Sequence, residues 1–118
     1  MERAAQIAHL VHRAAVGDPS PVEPFTPETV ARTIRKTTVP GSSRALGWDT
    51  MLPSSSCGSA MSPAAFGHVG FTGTSLWIDP ILDRYFVLLT NRACDGGTVD
   101  EMRDLRRAFH DTAVQIAR

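Results

Sequence analysis

Residues 66–91 hold three strand-length segments with room for only tight turns between them, and this most constrains what the chain can fold into. Phe66-Gly67-His68-Val69-Gly70-Phe71 is the first, residues 75–79 are the second and residues 84–91 the third. Connections this short join antiparallel neighbours. Asp79-Pro80-Ile81-Leu82-Asp83 forms the second turn. Tyr85, Phe86, Val87, Leu88 and Leu89 make the last segment apolar on both faces, and such a strand is normally covered on both sides. Gly67 and Gly70 interrupt the first segment. Glycine inside a strand marks a place where another group comes close to the backbone.

Upstream, residues 45–50 read as a further strand with Leu46 and Trp48 on one face, and residues 52–63 as a Ser/Gly/Pro-rich loop. Three helices flank the strands. Ile7, Leu10, Val11, Ala14 and Ala15 make an apolar stripe, ended by Gly17 and Asp18-Pro19-Ser20-Pro21. Thr26-Pro27-Glu28 opens a short helix over residues 27–35, with threonine as N-cap and proline at the first helical position. Pro40-Gly41-Ser42-Ser43 breaks the pattern. Thr98-Val99-Asp100-Glu101 fits a capping box. Met102, Leu105, Phe109, Ala113 and Ile116 then form the expected buried stripe, with Arg103, Arg106, Arg107, His110 and Asp111 on the solvent side. The expected fold class is α/β of the α+β kind: a partial, three-stranded antiparallel sheet (residues 45–50, 65–71 with 74–79, and 84–91), with the last helix on one face. The 118 residues make one domain or part of one, helical over 1–36 and sheet plus terminal helix over 45–118.

Twelve basic and twelve acidic residues cancel, so no net field draws in nucleic acid or an anionic membrane. Arg103, Arg106 and Arg107 are balanced by Asp100, Glu101, Asp104 and Asp111, which reads as a solvated face. No apolar run is long enough to cross a bilayer. Residues 1–17 lack a basic start followed by an apolar stretch, so a cytoplasmic location is expected. Cys57 and Cys94 lie in loop-like segments without ligand spacing, and a reduced pair is the default. His9 and His12 lack a third ligand nearby and read as solvated or packing residues, so neither metal nor cofactor is expected. The glycines between 67 and 73 precede no Gly-Lys-Ser/Thr and are no phosphate loop. Ser54, Ser55 and Ser56 have no lysine three residues on and read as loop.

Three ordered motifs carry a resemblance: His68-Val69-Gly70 in an H-x-G-x-x-G strand, Trp77-Ile78-Asp79-Pro80 at the hairpin, and Val87-Leu88-Leu89-Thr90-Asn91-Arg92. Together they resemble the C-terminal part of the serine β-lactamase and penicillin-binding-protein-like hydrolases, most of all the class C branch with its esterases and peptidases. Leu46-Gly47-Trp48-Asp49 and Phe25-Thr26-Pro27-Glu28-Thr29-Val30 extend the resemblance upstream. It implies acyl transfer, in which a serine of a Ser-x-x-Lys motif attacks a carbonyl while the lysine and the tyrosine of a Tyr-x-Asn motif move protons. It implies that His68 orients the proton shuttle or holds a substrate carboxylate. It also implies that Gly70 leaves room for substrate and that Phe71 N–H is an oxyanion donor. Val69 stands where threonine is commoner and cannot hydrogen-bond a substrate carboxylate.

The single lysine, Lys36, follows Thr33 by three, and the single tyrosine, Tyr85, is followed by Phe86-Val87. Neither completes its motif, and the nucleophile is expected N-terminal to Met1. The expected function is that of a hydrolase lobe, inactive alone, that takes an ester, amide or β-lactam when completed by an N-terminal half. The alternative is a non-catalytic binding or assembly module on the same sheet. An exposed sheet edge predicts self-association.

Overall fold

The structure, a computed structural model, describes residues 9–13, 15–17 and 26–118. Ile7, Ala14, the 18–21 breaker and Phe25 lie outside the described residues. Residues 9–13 and 15 are helical, and Gly17 follows with a left-handed φ of +78°. Helix α1 is Pro27–Thr33. Strands β1 (Asp49–Thr50), β2 (Phe66–Val69), β3 (Ser75–Asp79) and β4 (Arg84–Leu88) follow, then helices α2 (Arg92–Asp95) and α3 (Val99–Ala117). The sheet order is β1-β2-β3-β4, antiparallel throughout.

The sheet thus has four strands rather than three, because residues 65–71 and 74–79 are separate strands paired through Phe66↔Ile78 to Val69↔Ser75. The connecting turn is closed by Gly73 N–H donating to Gly70 O at 3.1 Å and Gly70 N–H to Thr74 O at 2.8 Å. The 45–50 segment contracts to two strand residues. Gly47 adopts φ +79° within a tight reversal, and Ala45 N–H donates to Trp48 O at 2.9 Å. Leu46 is left at the tip, 71% exposed, while the Trp48 ring packs edge-on to Phe66 with centroids 5.2 Å apart. The two side chains therefore do not share a buried face.

Alternation along the strands separates two cores. Trp77 and Phe86 face α3 and pack with Cys57, Met61, Ala65 and Val114. Phe66 and Ile78 face the other way and pack with Val11 and Val30. A Cβ on Gly67 would strike Leu76 O and the Trp77 ring, so the close approach expected at this glycine is that of the neighbouring strand's indole. Asp79, fully buried, accepts from Ser62 N–H and Ser62 Oγ–H at 2.6 Å and from the Ile81 and Leu82 amides at 3.0 and 3.1 Å. The 52–63 segment is anchored at several points. Asp111 accepts from the Ser59 and Ala60 amides at 2.7 and 2.8 Å, and Ser55 Oγ accepts from Leu52 N–H and donates to Thr50 O. Cys57 within it is buried, and burial pushes its thiol up to about 12; Cys94 is exposed and both are free.

Both helix starts form as expected. Thr26 Oγ1 caps α1 through Thr29 N–H at 3.2 Å, and the α3 capping box is complete, with Glu101 N–H to Thr98 Oγ1 at 3.1 Å and Thr98 N–H to Glu101 Oε2 at 2.8 Å. The buried stripe of α3 differs from the expected one. It is Met102, Arg106, His110 and Val114, at strict four-residue spacing, while Leu105 and Ile116 are 53% and 81% exposed. Two polar residues are buried because the sheet offers them partners. Arg106 reaches backbone carbonyls, and His110 Nε2 hydrogen-bonds Ser75 Oγ at 2.8 Å.

His110 carries a pH prediction. It is fully buried against the Phe86 and Phe109 rings, with Nδ1 unpartnered. Burial, then the Arg106 charge, push its pKa down from 6.5 to about 4, opposed in part by Asp111. The unfolded chain therefore takes up the proton first on acidification. Stability is full above pH 6.5 and falls progressively between 6.5 and 4, by roughly 3 kcal/mol at the limit. Urea unfolding across this range will show the slope, and His110→Gln, which does not titrate, will flatten it.

Candidate functional site

His68, Val69, Gly70 and Phe71 stand together at the end of β2. Register places His68 beside Leu76, and Leu76 beside Val87, on the sheet face away from α3. His68 is exposed, and its imidazole makes no hydrogen bond among the described residues. With Gly70, Thr74, Leu76, Val87 and Leu89 it lines an open trough of about 300 Å³. A Cβ on Gly70 would collide with Thr74 Oγ1, so packing within the hairpin also requires glycine here. β1 pairs only with Phe66 and Gly67, which leaves the outer edge of β2 open from His68 onward among the described residues.

Phe71 follows as the second residue of the 70–73 turn. Its N–H has no hydrogen-bond partner among the described residues, and its side chain is 80% exposed. Two arginines hold the surrounding backbone. Arg92 stacks over the Phe71 ring, 4.5 Å from the centroid, and donates to Phe71 O through Nη2 at 2.8 Å and Nε at 3.2 Å. Its Nη1 donates to Gly97 O at 3.2 Å. Arg106 donates to Gly70 O at 2.8 Å, Thr74 O at 3.1 Å and Gly73 O at 3.3 Å. Burial, then the Arg92 charge, hold the Arg106 guanidinium below its usual range. Among the described residues neither arginine has a carboxylate partner.

The sequence reading missed both arginines. Arg92 was only the end of a strand motif, and Arg106 was placed on a solvated face. The four-residue spacing of Met102, Arg106, His110 and Val114 was the available signal, but it ran through two polar residues. His110, expected at the surface, is buried. Among the described residues the one Ser–His hydrogen bond, Ser75 to His110, is closed to substrate, with the two residues 3% and 0% exposed. His12 Nε2 lies 3.0 Å from Asp83 Oδ1 without hydrogen-bond alignment, and the His9 and His12 rings both approach Tyr85. No three His, Cys, Asp or Glu side chains gather as a metal set among the described residues. A separate cavity of about 670 Å³ lies between α1 and the 37–46 segment, lined by Arg32, Arg35, Lys36 and Arg44, and shares no residue with the trough.

The trough, the open strand edge and the unpaired amide thus belong to the β2-β3-β4 meander and its turns, and the three ordered motifs lie along it. The family model for beta-lactamase matches residues 4–111. The chain belongs to the beta-lactamase family. No curated protein and no solved structure gives a match. Beta-lactamase-family enzymes are serine hydrolases, and an acyl transfer of that kind needs a nucleophile, a base and donors for the oxyanion. Among the described residues of this beta-lactamase-family chain, no exposed serine is hydrogen-bonded to a histidine or lysine. The geometry at the end of β2 offers an exposed imidazole and an unpaired amide.

Proposed function

We propose that this chain supplies the sheet-edge wall of a serine acyl-transfer site of the class C and penicillin-binding-protein-like kind, with nucleophile, lysine and tyrosine provided by a preceding segment. Phe71 N–H donates to the oxyanion, His68 orients the proton shuttle, and Gly70 and Val69 border the acyl group. The observation that carries this reading is the unpaired Phe71 amide at the open end of β2, three residues after an exposed histidine. Val69 offers no hydroxyl to a substrate carboxylate, which favours simple esters over β-lactams and peptide acids.

The outer edge of β4 has no neighbour among the described residues, and Leu89 beside it is 46% exposed. Such an edge favours pairing with another chain. The isolated chain is therefore expected to self-associate, and to form a one-to-one complex when an N-terminal half covers it.

The test mixes the chain with the N-terminal half of a full-length family member that carries Ser-x-x-Lys and Tyr-x-Asn. Hydrolysis of a p-nitrophenyl ester and of a chromogenic β-lactam is followed, with light scattering for size. Ester turnover is expected only in the mixture, with a fluorophosphonate probe labelling the added half. Turnover by the chain alone, with one of its own serines labelled, would overturn the reading. Complex formation without hydrolysis would favour a non-catalytic assembly module.

A further inference from the structure

We infer that Arg106 and Arg92 are positioning residues that aim and polarise the Phe71 amide, by clamping the carbonyls of the two consecutive peptides that flank Phe71. The inference rests on the reading of Phe71 N–H as an oxyanion donor and adds what holds that donor in place.

In a trans peptide the C=O and N–H point in opposite directions, and rotation about the bond is blocked. Gly70 O and Phe71 N belong to one peptide. Gly70 O is fixed from one side by Arg106 Nη2 at 2.8 Å and by Gly73 N–H at 3.1 Å. Phe71 N–H must then point the other way, out of the turn and away from α3. The next peptide is held in the same manner, with Phe71 O accepting both Nε and Nη2 of Arg92. With both flanking planes pinned, Phe71 loses the freedom to swing its amide inward.

The clamp also changes the donor's strength. A charge-assisted hydrogen bond to a peptide oxygen draws electron density from its nitrogen, so the N–H on the same peptide becomes a better donor. A neutral donor such as Gly73 N–H does this weakly; a guanidinium does it more. Two cations without carboxylate partners beside the turn add a positive potential where negative charge would develop.

Burying an arginine without a carboxylate is costly unless its donors are satisfied. Arg106 places three of its five donors, from Nε and Nη2, on three carbonyls of this one turn, Gly70, Gly73 and Thr74. Of the other residues in the buried stripe, Met102 accepts from Thr90 Oγ1 at 3.5 Å and Val114 packs with Trp77 and Phe86. A methionine at 106 would fill the same space, so packing alone does not call for the guanidinium.

The test has two arms. In the first, amide exchange is measured by NMR on the full chain for Arg106→Met, Arg106→Lys and Arg92→Gln. For Arg106→Met the Gly70 and Gly73 amides are expected to exchange about tenfold faster or more, while residues 77 and 86 stay within about twofold. Uniform acceleration of all four would make Arg106 a general stability residue and overturn the inference. In the second arm, the same variants are assayed with the N-terminal half described above. For Arg106→Met kcat is expected to fall about 10- to 100-fold with KM nearly unchanged, because the lost interaction acts on developing charge. Arg106→Lys should recover part of the rate. An unchanged kcat, or a loss carried by KM, would overturn it. If Arg106→Met does not fold, Arg92→Gln decides, since its side chain lies at the surface of the turn and is expected to lower kcat severalfold. If the unaltered mixture shows no hydrolysis, the proposed function fails on its own account, and the exchange arm still decides whether the clamp exists.

Discussion

Phe71→Pro is expected to lower ester hydrolysis by the complemented protein ~10²–10³-fold, the loss typical of one oxyanion donor. Proline deletes the amide hydrogen together with the exposed ring and its stacking on Arg92. Residue 71 is the second of a four-residue turn closed by Gly73 N–H to Gly70 O, where proline's fixed φ is favoured. Phe71 does not have a positive φ, and the preceding Gly70 tolerates the restriction that proline imposes on its neighbour. The amide has no hydrogen bond to lose, so stability should change little. Phe71→Ala is the control. It removes the exposed ring and its stacking with Arg92 but keeps the N–H, and its rate should stay within a few-fold of the unaltered protein. Steady-state kinetics on a p-nitrophenyl ester checks both. Equal losses in the two variants would move the role from the amide to the ring.

Asp79→Ala is expected to cost about 3–5 kcal/mol, a large part of a domain's ordinary margin. The carboxylate accepts four hydrogen bonds in a fully buried position, from Ser62 N and Oγ and from the Ile81 and Leu82 amides. Alanine leaves all four donors without an acceptor, and an orphaned buried donor costs about 1–3 kcal/mol before relaxation. Asp79→Asn keeps one oxygen and should cost less, but its NH₂ would face the Ser62 amide or hydroxyl, donor against donor. Urea midpoints for the two variants should fall in that order. A midpoint for Asp79→Ala close to the unaltered value would mean that the 62–82 tie is not part of the cooperative unit.

Asp79 also marks what could and could not be read in the sequence. Its place at a hairpin was legible, since the turn chemistry lies in Asp79-Pro80 and the next three residues. Its bond to Ser62, seventeen positions back, was not. The same division runs through the molecule. Strands β2 to β4 and both helix caps depend on residues within a few positions of one another, and residue type alone reveals them. The buried line of α3 depends on what stands opposite. Arg106 is buried because Gly70, Gly73 and Thr74 present carbonyls, and His110 because Ser75 presents a hydroxyl. A carbonyl belongs to every residue, so no sequence pattern announces that three of them converge. Leu46 failed for the reverse reason: an apolar residue in a strand-like run sits at the tip of a reversal that Gly47 creates. For the candidate site, His68 to Phe71 were legible as a motif, while the two guanidiniums behind them were not.

The strands pair in the order in which they occur along the chain. From β2 to β4 the meander closes only short loops, and little chain entropy is lost before each hairpin is rewarded by contacts. The attachments of α3 are of another kind. Asp111 reaches back 51 and 52 positions to Ala60 and Ser59, and His110 reaches 35 to Ser75. Self-assembly of the sheet is thus a local and rapid affair, whereas seating α3 must await the chain through residue 117. On a ribosome, where emergence is sequential, the hairpins would stand exposed on their Trp77 face until α3 clears the exit tunnel. For that interval a chaperone would meet bare indole and phenylalanine.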